Sequence, residues 1–213
     1  MSALRGGWAL LATACAALAL VHGVGCSSSG GDGGSSSSSG GAEGGAPAAT
    51  GDTLTINEIV ATGTEEWLEL ANKGATEIDL SDFGVADTDK ATKLPKISGA
   101  MRFPAGTRLA AGAYLLVVTN KKKTDPVGPH PKESCVPGAQ SICFYATFGI
   151  SAADGESLYV LTKDNAVVAN AQYPASPADA GADAGASGKS VCRKPDKTGE
   201  LASCDPTPGA ANK

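Results

Sequence analysis

The chain has 213 residues, 17 basic and 22 acidic, with a formal net charge of −5 and 5% aromatic content. The acidic excess argues against a dedicated nucleic-acid binder, whose domain carries a basic face. The scarcity of aromatics leaves no evident stacking platform for bases or sugars.

Met1–Arg5 carries one positive charge, and Trp8–Val21 follows as an apolar run of 14 residues. A membrane-spanning helix needs about 20 such residues, whereas a secretory h-region needs about 7–15, so residues 1–25 read as a signal peptide. Gly23-Val24-Gly25-Cys26 resembles the lipobox cut by lipoprotein signal peptidase, with Gly23 standing where an aliphatic residue is usual. Cys26 is then the lipidation site and the link to a membrane. Cys15 is a competing site that would shorten the h-region, and ordinary signal peptidase cleavage would give a secreted soluble protein. By resemblance to lipoprotein sorting, the non-acidic Ser27 favours the outer membrane of the cell envelope. Removal of the leader takes away Arg5 and deepens the net charge from −5 to −6.

Residues 26–52 form the expected tether. Ser27–Asp52 contains 9 Gly and 8 Ser among 26 residues, too little apolar area to offset ordering entropy. A coil of that length spans about 25–30 Å.

Residues 53–213 form the expected folded domain, and its pattern is β throughout. Thr53–Ile59 alternates with Leu54 and Ile56 on one face. Glu66–Asn72 alternates with Leu68 and Leu70 opposite Trp67 and Glu69, and Ile78 and Leu80 mark a third short run. Tyr114–Thr119 is continuously apolar, as in a central strand. Ser157–Leu161 and Val167–Tyr173 pair across Lys163-Asp164-Asn165-Ala166, whose residues tolerate turn geometry. Gly106, Gly112 and Gly155 punctuate the remainder. Many short strands with such punctuation predict an all-β sandwich or barrel. Two stretches read as insertions, Lys121–Cys143 and the Ala/Asp/Gly-rich segment near 175–188.

Four cysteines remain beyond the signal and the lipidation site: Cys135, Cys143, Cys192 and Cys204. In an exported domain an even set predicts disulfides. Three pairings are possible, and proximity favours Cys135–Cys143 with Cys192–Cys204. Zinc is the rival reading, but no C-x-x-C is present and His130 is the only histidine after the signal, so no metal or cofactor is assigned.

Several motifs, in order, resemble the lamin-tail domain family. Ile56-Asn57-Glu58-Ile59 and Glu66-Trp67-Leu68-Glu69-Leu70-Ala71-Asn72 resemble its first two strands. Leu80–Val85, Phe103-Pro104-Ala105-Gly106-Thr107, Phe148-Gly149-Ile150 and Gly155–Leu161 resemble later segments, with Asp82 and Phe83 in place of the family's Gly and Trp. Ser190–Asp196 and Thr207-Pro208-Gly209-Ala210-Ala211-Asn212 resemble closing S-x-x-R-x-P-D and T-P-G-x-x-N segments. The resemblance implies an immunoglobulin-like β-sandwich, with Cys192–Cys204 stapling the Arg193/Asp196 loop. It also implies protein or scaffold contacts rather than catalysis.

The motif residues Asn57, Glu58, Trp67, Glu69, Asn72, Arg193, Asp196, Pro208, Gly209 and Asn212 are given mainly structural roles. Asn57 and Asn72 are expected to cap strand ends, and Arg193 to pair with Asp196. The expected function is non-catalytic display of the domain to a protein or envelope partner. The Lys121–Cys143 loop supplies the candidate contact residues Lys121, Lys122, Lys123 and His130. An anchored hydrolase is the alternative, but G-x-S-x-G and H-E-x-x-H are absent. A calcium-stabilised adhesin is another, with Asp79, Asp82, Asp87 and Asp89 as oxygen donors.

Overall fold

The alternation of β-branched and aliphatic residues builds strands whose inner faces share one core. In a computed structural model, which describes residues 45–174 and 188–213, the strands in chain order are β1 (Leu54–Val60), β2 (Trp67–Asn72), β3 (Ile78–Asp79), β4 (Gly84–Ala86), β5 (Met101–Arg102), β6 (Arg108–Leu109), β7 (Tyr114–Val118), β8 (Cys143–Tyr145), β9 (Glu156–Leu161), β10 (Val167–Tyr173), β11 (Ser190–Lys194) and β12 (Glu200–Cys204). The signal segment, Cys15, Cys26, the tether up to residue 44 and the insertion at 175–187 lie outside the described residues.

A six-stranded sheet runs β12-β11-β1-β2-β7-β8, a four-stranded sheet runs β10-β9-β4-β5, and β3 pairs with β6. The two larger sheets form an immunoglobulin-like sandwich. Leu54, Ile56, Ile59, Leu68, Leu70, Leu115, Val117 and Val191 of the larger sheet pack on Val85, Leu158, Val160 and Tyr173 of the smaller one. Phe103 and Phe144 meet edge to face within this core, with centroids 5.0 Å apart. Pairing is antiparallel except for β7 and β8, which run parallel and require a crossover.

Two boundaries differ from the sequence expectation. Residues 47–50, assigned to the tether, belong to the fold: Asp79 N–H donates to Pro47 O at 2.8 Å, and Ala49 is buried in the core. Small residues carry no apolar signature, yet they fit where a side chain would not. The Lys121–Cys143 segment is not a displayed insertion. It crosses the outer face of the six-stranded sheet, and Cys135, Val136 and Ala139 bury Val60, Trp67, Leu116 and Val118 in a second apolar core. Both faces of β1 and β2 are therefore buried along their whole length.

Both expected disulfides form. Cys135–Cys143 ties the crossing segment to β8, with Cα atoms 5.8 Å apart. Cys192–Cys204 ties β11 to β12 at 5.9 Å; what it staples is a paired hairpin.

Phe103 is 1% exposed. Phe103→Ala should lower unfolding free energy by about 3–5 kcal/mol in urea titration, the usual cost of emptying an aromatic core site.

Candidate functional site

The outer face of the six-stranded sheet divides into an apolar half under the crossing segment and a polar half under the C-terminal residues. The polar half originates in a β-bulge on β1. Ile56 pairs with Leu70 and Glu58 with Glu69, so Asn57 is an extra residue between them. The bulge keeps Ile56 and Ile59 on the inner core while Asn57 and Glu58 both serve the outer side. Asn57 is thus a mid-strand residue and not a strand-end cap.

Glu58 and Glu69 lie opposite each other on neighbouring strands, and both are fully buried. Their partners come largely from a strap formed by residues 205–213. The Thr207 N–H lies 3.2 Å from both Glu58 oxygens, the Thr207 hydroxyl lies 3.1 Å from Oε2, and Ser190 Oγ donates to Oε1. Glu69 accepts from Asn57 Nδ2 at 2.8 Å and from the Gly209 N–H at 2.7 Å. Asp196 accepts from Asn57 Nδ2 at 3.0 Å, from the Tyr114 hydroxyl at 2.7 Å and from the Asn212 N–H at 3.1 Å. Asn57 Oδ1 in turn accepts from Lys197 N–H, and Asn212 Nδ2 donates to Asn57 O and Arg193 O. Of the motif residues, Asn57, Glu58, Glu69, Asp196, Gly209 and Asn212 converge on one network, whose work is to hold the strap on the sheet.

Arg193 does not pair with Asp196. Its Nε donates to Ile56 O at 2.8 Å and its Nη1 to Gly199 O at 2.9 Å. As β11 alternates, Arg193 falls on the side of Val191, away from the strap. Asn72 does close a strand end, donating to Thr76 O, Leu109 O and Ala110 O and accepting from Gly74 N–H. Trp67 anchors the apolar half. Pro208 O accepts from the Gln140 N–H and joins the strap to the crossing segment. Tyr114, Ser190 and Thr207 were not singled out from sequence. Ser190 and Thr207 stand inside the recognised motifs, and Tyr114 shares the outward parity of Leu116.

The electrostatics follow from burial. Desolvation pushes the Glu69 carboxyl up to about 8, against the pull of its hydrogen bonds from Asn57 and Gly209. Glu58 is raised by the same cause, moderated by Ser190 and Thr207. Burial and the bond to Asp196 raise the Tyr114 hydroxyl.

The candidate contact loop is pinned rather than free. Lys121 Nζ bonds Glu65 at 2.7 Å and lies 5.1 Å from the Tyr145 ring centre. His130 stacks on Tyr145 at 3.8 Å, exchanges backbone hydrogen bonds with Cys143, and places Nε2 at 2.9 Å from Pro126 O. The Tyr145 hydroxyl donates to Ser134 O. Lys122 and Lys123 are exposed, as are Val127 and Ile142. Lys121 and His130 are therefore mainly structural, and the outward chemistry belongs to Lys122, Lys123, Val127 and Ile142.

The four aspartates considered for calcium serve separate local purposes. Asp79 caps the Ser81 N–H, and Asp89 caps the Ala91 and Thr92 N–H groups. Asp82 occupies a left-handed turn at φ 62°. Asp87 is buried and its Oδ1 has no hydrogen-bond partner among the described residues; burial raises its carboxyl.

Two outcomes test the network. A carboxyl raised by folding holds its proton in the native chain after the unfolded chain has ionised, so native stability falls with rising pH across that window. For Glu69 the window runs from about 4.5 to about 8, and Glu58 acts in the same direction. The melting temperature of residues 43–213 should fall across it, and Glu69→Gln should flatten the profile. A profile flat across this window would show both carboxyls already ionised in the fold. Gly209 has φ +80°, and a Cβ there would sit 2.5 Å from Ser141 N. Gly209→Ala should cost more than about 1 kcal/mol by chemical denaturation.

A family model described as Lamin Tail Domain matches residues 47–188. The match starts where the described backbone enters the core and ends before β11, so the β11–β12 hairpin and the strap lie beyond it. No curated protein matches the chain. With the sandwich formed and most of its length matched, the chain belongs to the lamin tail domain family.

Proposed function

We propose that this protein is a cell-envelope lipoprotein that presents its lamin tail domain, without catalysis, to a protein or envelope partner. The observation that carries this reading is the pinned crossing segment. A disulfide, a His130–Tyr145 stack and an ion pair at Lys121 hold one rigid surface. That surface presents Lys122, Lys123, Val127 and Ile142 outward. A contact region fixed before encounter avoids the ordering cost that a flexible loop would incur on binding. The apolar run, Cys26 and the Ser/Gly tract support attachment at the membrane, with the outer membrane as the destination favoured by Ser27. Two short-range cystines suit the oxidising compartment that export would reach.

The chemistry of the buried carboxylates supports a structural assignment for the motif residues. Glu58 and Glu69 are fully enclosed and hydrogen-bonded within the chain. A general acid or base must reach its substrate within about 3 Å or through one water. His130, the one histidine of the folded part, is committed to the Tyr145 stack.

Deleting the crossing segment would expose Trp67 and Leu116, so point changes on its outer side give the cleaner test. Full-length protein should be crosslinked in cells beside a Lys122→Glu/Lys123→Glu/Val127→Asp variant and a Cys26→Ala variant. Specific capture should drop at least about tenfold in the charge-reversed surface variant while its melting temperature stays unchanged. The Cys26→Ala protein should leave the membrane fraction. Capture that survives the surface variant would move the contact elsewhere on the domain.

A further inference from the structure

A cleft of about 280 Å3 opens where β10 faces the start of β1 and the turn between β11 and β12. Lys73, Arg193 and Lys197 line it with Thr55, Asn170 and Thr198, and no carboxylate is among its lining residues. Three cations thus gather in one cleft of a chain of net charge −5. Its size is near the lower end of small-molecule pockets, about 300–1,000 Å3.

Arg193 is the decisive group. It is half-buried, and its Nε and Nη1 are held by Ile56 O and Gly199 O, while Nη2 has no acceptor among the described residues. It makes no ion pair among the described residues. The side chain is thus fixed in place by two carbonyls that leave its charge unneutralised. Lys197 is also placed: Nζ donates to Gly112 O at 2.7 Å, lies 4.3 Å from the Tyr114 ring centre and stands 3.9 Å from Asp196 Oδ2. Lys73 is exposed and adds a cation to the cleft lining. A guanidinium held by two carbonyls with Nη2 left free offers an oxyanion a fixed, charge-assisted donor. Hydroxyl and amide side chains supply further donors.

We propose that this cleft binds a phosphate-type oxyanion, either free in solution or carried on a saccharide of the envelope. Arg193 Nη2 donates to the anion, Lys73 closes over it from the rim, and Lys197 contributes field from a fixed position. The site is distinct from the contact surface of the crossing segment, so either assignment can fail without the other.

Residues 43–213 form the compact unit that contains the whole core, and this polypeptide suits the test. It should be titrated with inorganic phosphate and separately with glucosamine 1-phosphate, followed by amide and arginine Nε chemical shifts. Sodium chloride at matched ionic strength is the control. Saturable shifts should cluster at Gly51, Lys73, Arg193 and Thr198. Lys73→Met should weaken binding at least about threefold, and Arg193→Lys about tenfold. The Lys73 side chain has no hydrogen bond or ion pair among the described residues, and its backbone N–H donates to Thr53 O, so Lys73→Met carries the test if Arg193→Lys fails to fold. Tighter binding of the sugar phosphate would identify a saccharide-borne source, and equal binding a free ion. Shifts that chloride reproduces, that fail to saturate, or that persist unchanged in Lys73→Met would overturn the proposal.

Discussion

The six-stranded sheet has two buried faces, and the rest of the structure answers that requirement. Its inner face meets the smaller sheet in the ordinary manner of a sandwich. Its outer face would otherwise leave Val60, Trp67, Leu116 and Val118 in water beside two carboxylates. One cover is apolar and cross-linked, contributed by the segment between β7 and β8. The other is polar and hydrogen-bonded, contributed by residues beyond β12. The covers touch where Gln140 N–H meets Pro208 O, and Gly209 packs against Ser141. Neither is an appendage, because each is the second wall of a core.

Opposed glutamates on adjacent strands are a poor design in isolation. Like charges facing each other across a strand pair destabilise a sheet, and burial adds the cost of lost hydration. Here the pair becomes a device for specificity. Only a backbone that offers N–H groups at Thr207 and Gly209, with a hydroxyl beside them, satisfies both carboxyls at once. An apolar face would accept many coverings of similar shape, whereas this one accepts a particular segment in a particular register. Asn57 links the two halves of the arrangement, since it contacts Glu69, Asp196 and Lys197 from its bulged position.

Much of this was legible in the residues. β1 and β2 stand where alternation put them, β7 where a continuous apolar run did, and β9 and β10 where a turn signal paired them; Leu68 and Leu70 do oppose Trp67 and Glu69. Of the short strands only β3 was marked, by Ile78 and Leu80; the two or three residues of β5, β6 and β8 are too few to display a period. The bulge left a trace that strict alternation hides. Ile56 and Ile59 are three apart, and a regular strand would send them to opposite faces. Residues 47–50 resembled linker because small side chains look alike whether they are solvated or packed. The crossing segment resembled a displayed loop because its buried residues, Val136 and Ala139, are scattered among Pro137, Gly138 and other turn formers. Arg193 and Asp196 were mispaired because three residues of separation in a hairpin says nothing about which face each occupies.

The register of β1 bears on the order in which the protein can be built. β1 pairs locally with β2, yet its other edge waits for β11, and Glu58 waits for Thr207 across a separation of 149 residues. Contacts of such range close slowly, because the entropy of the intervening chain must be surrendered before any bond rewards it. Synthesis proceeds from the other end, so the central strand of the sheet is made long before the groups that complete it. A chain that stops short of Thr207 leaves Glu58 with Ser190 and Glu69 with Asn57, but without the strap's Thr207 and Gly209 donors. Sealing of the polar half of the sheet therefore waits until the strap has left the ribosome, long after β1 and β2 are made.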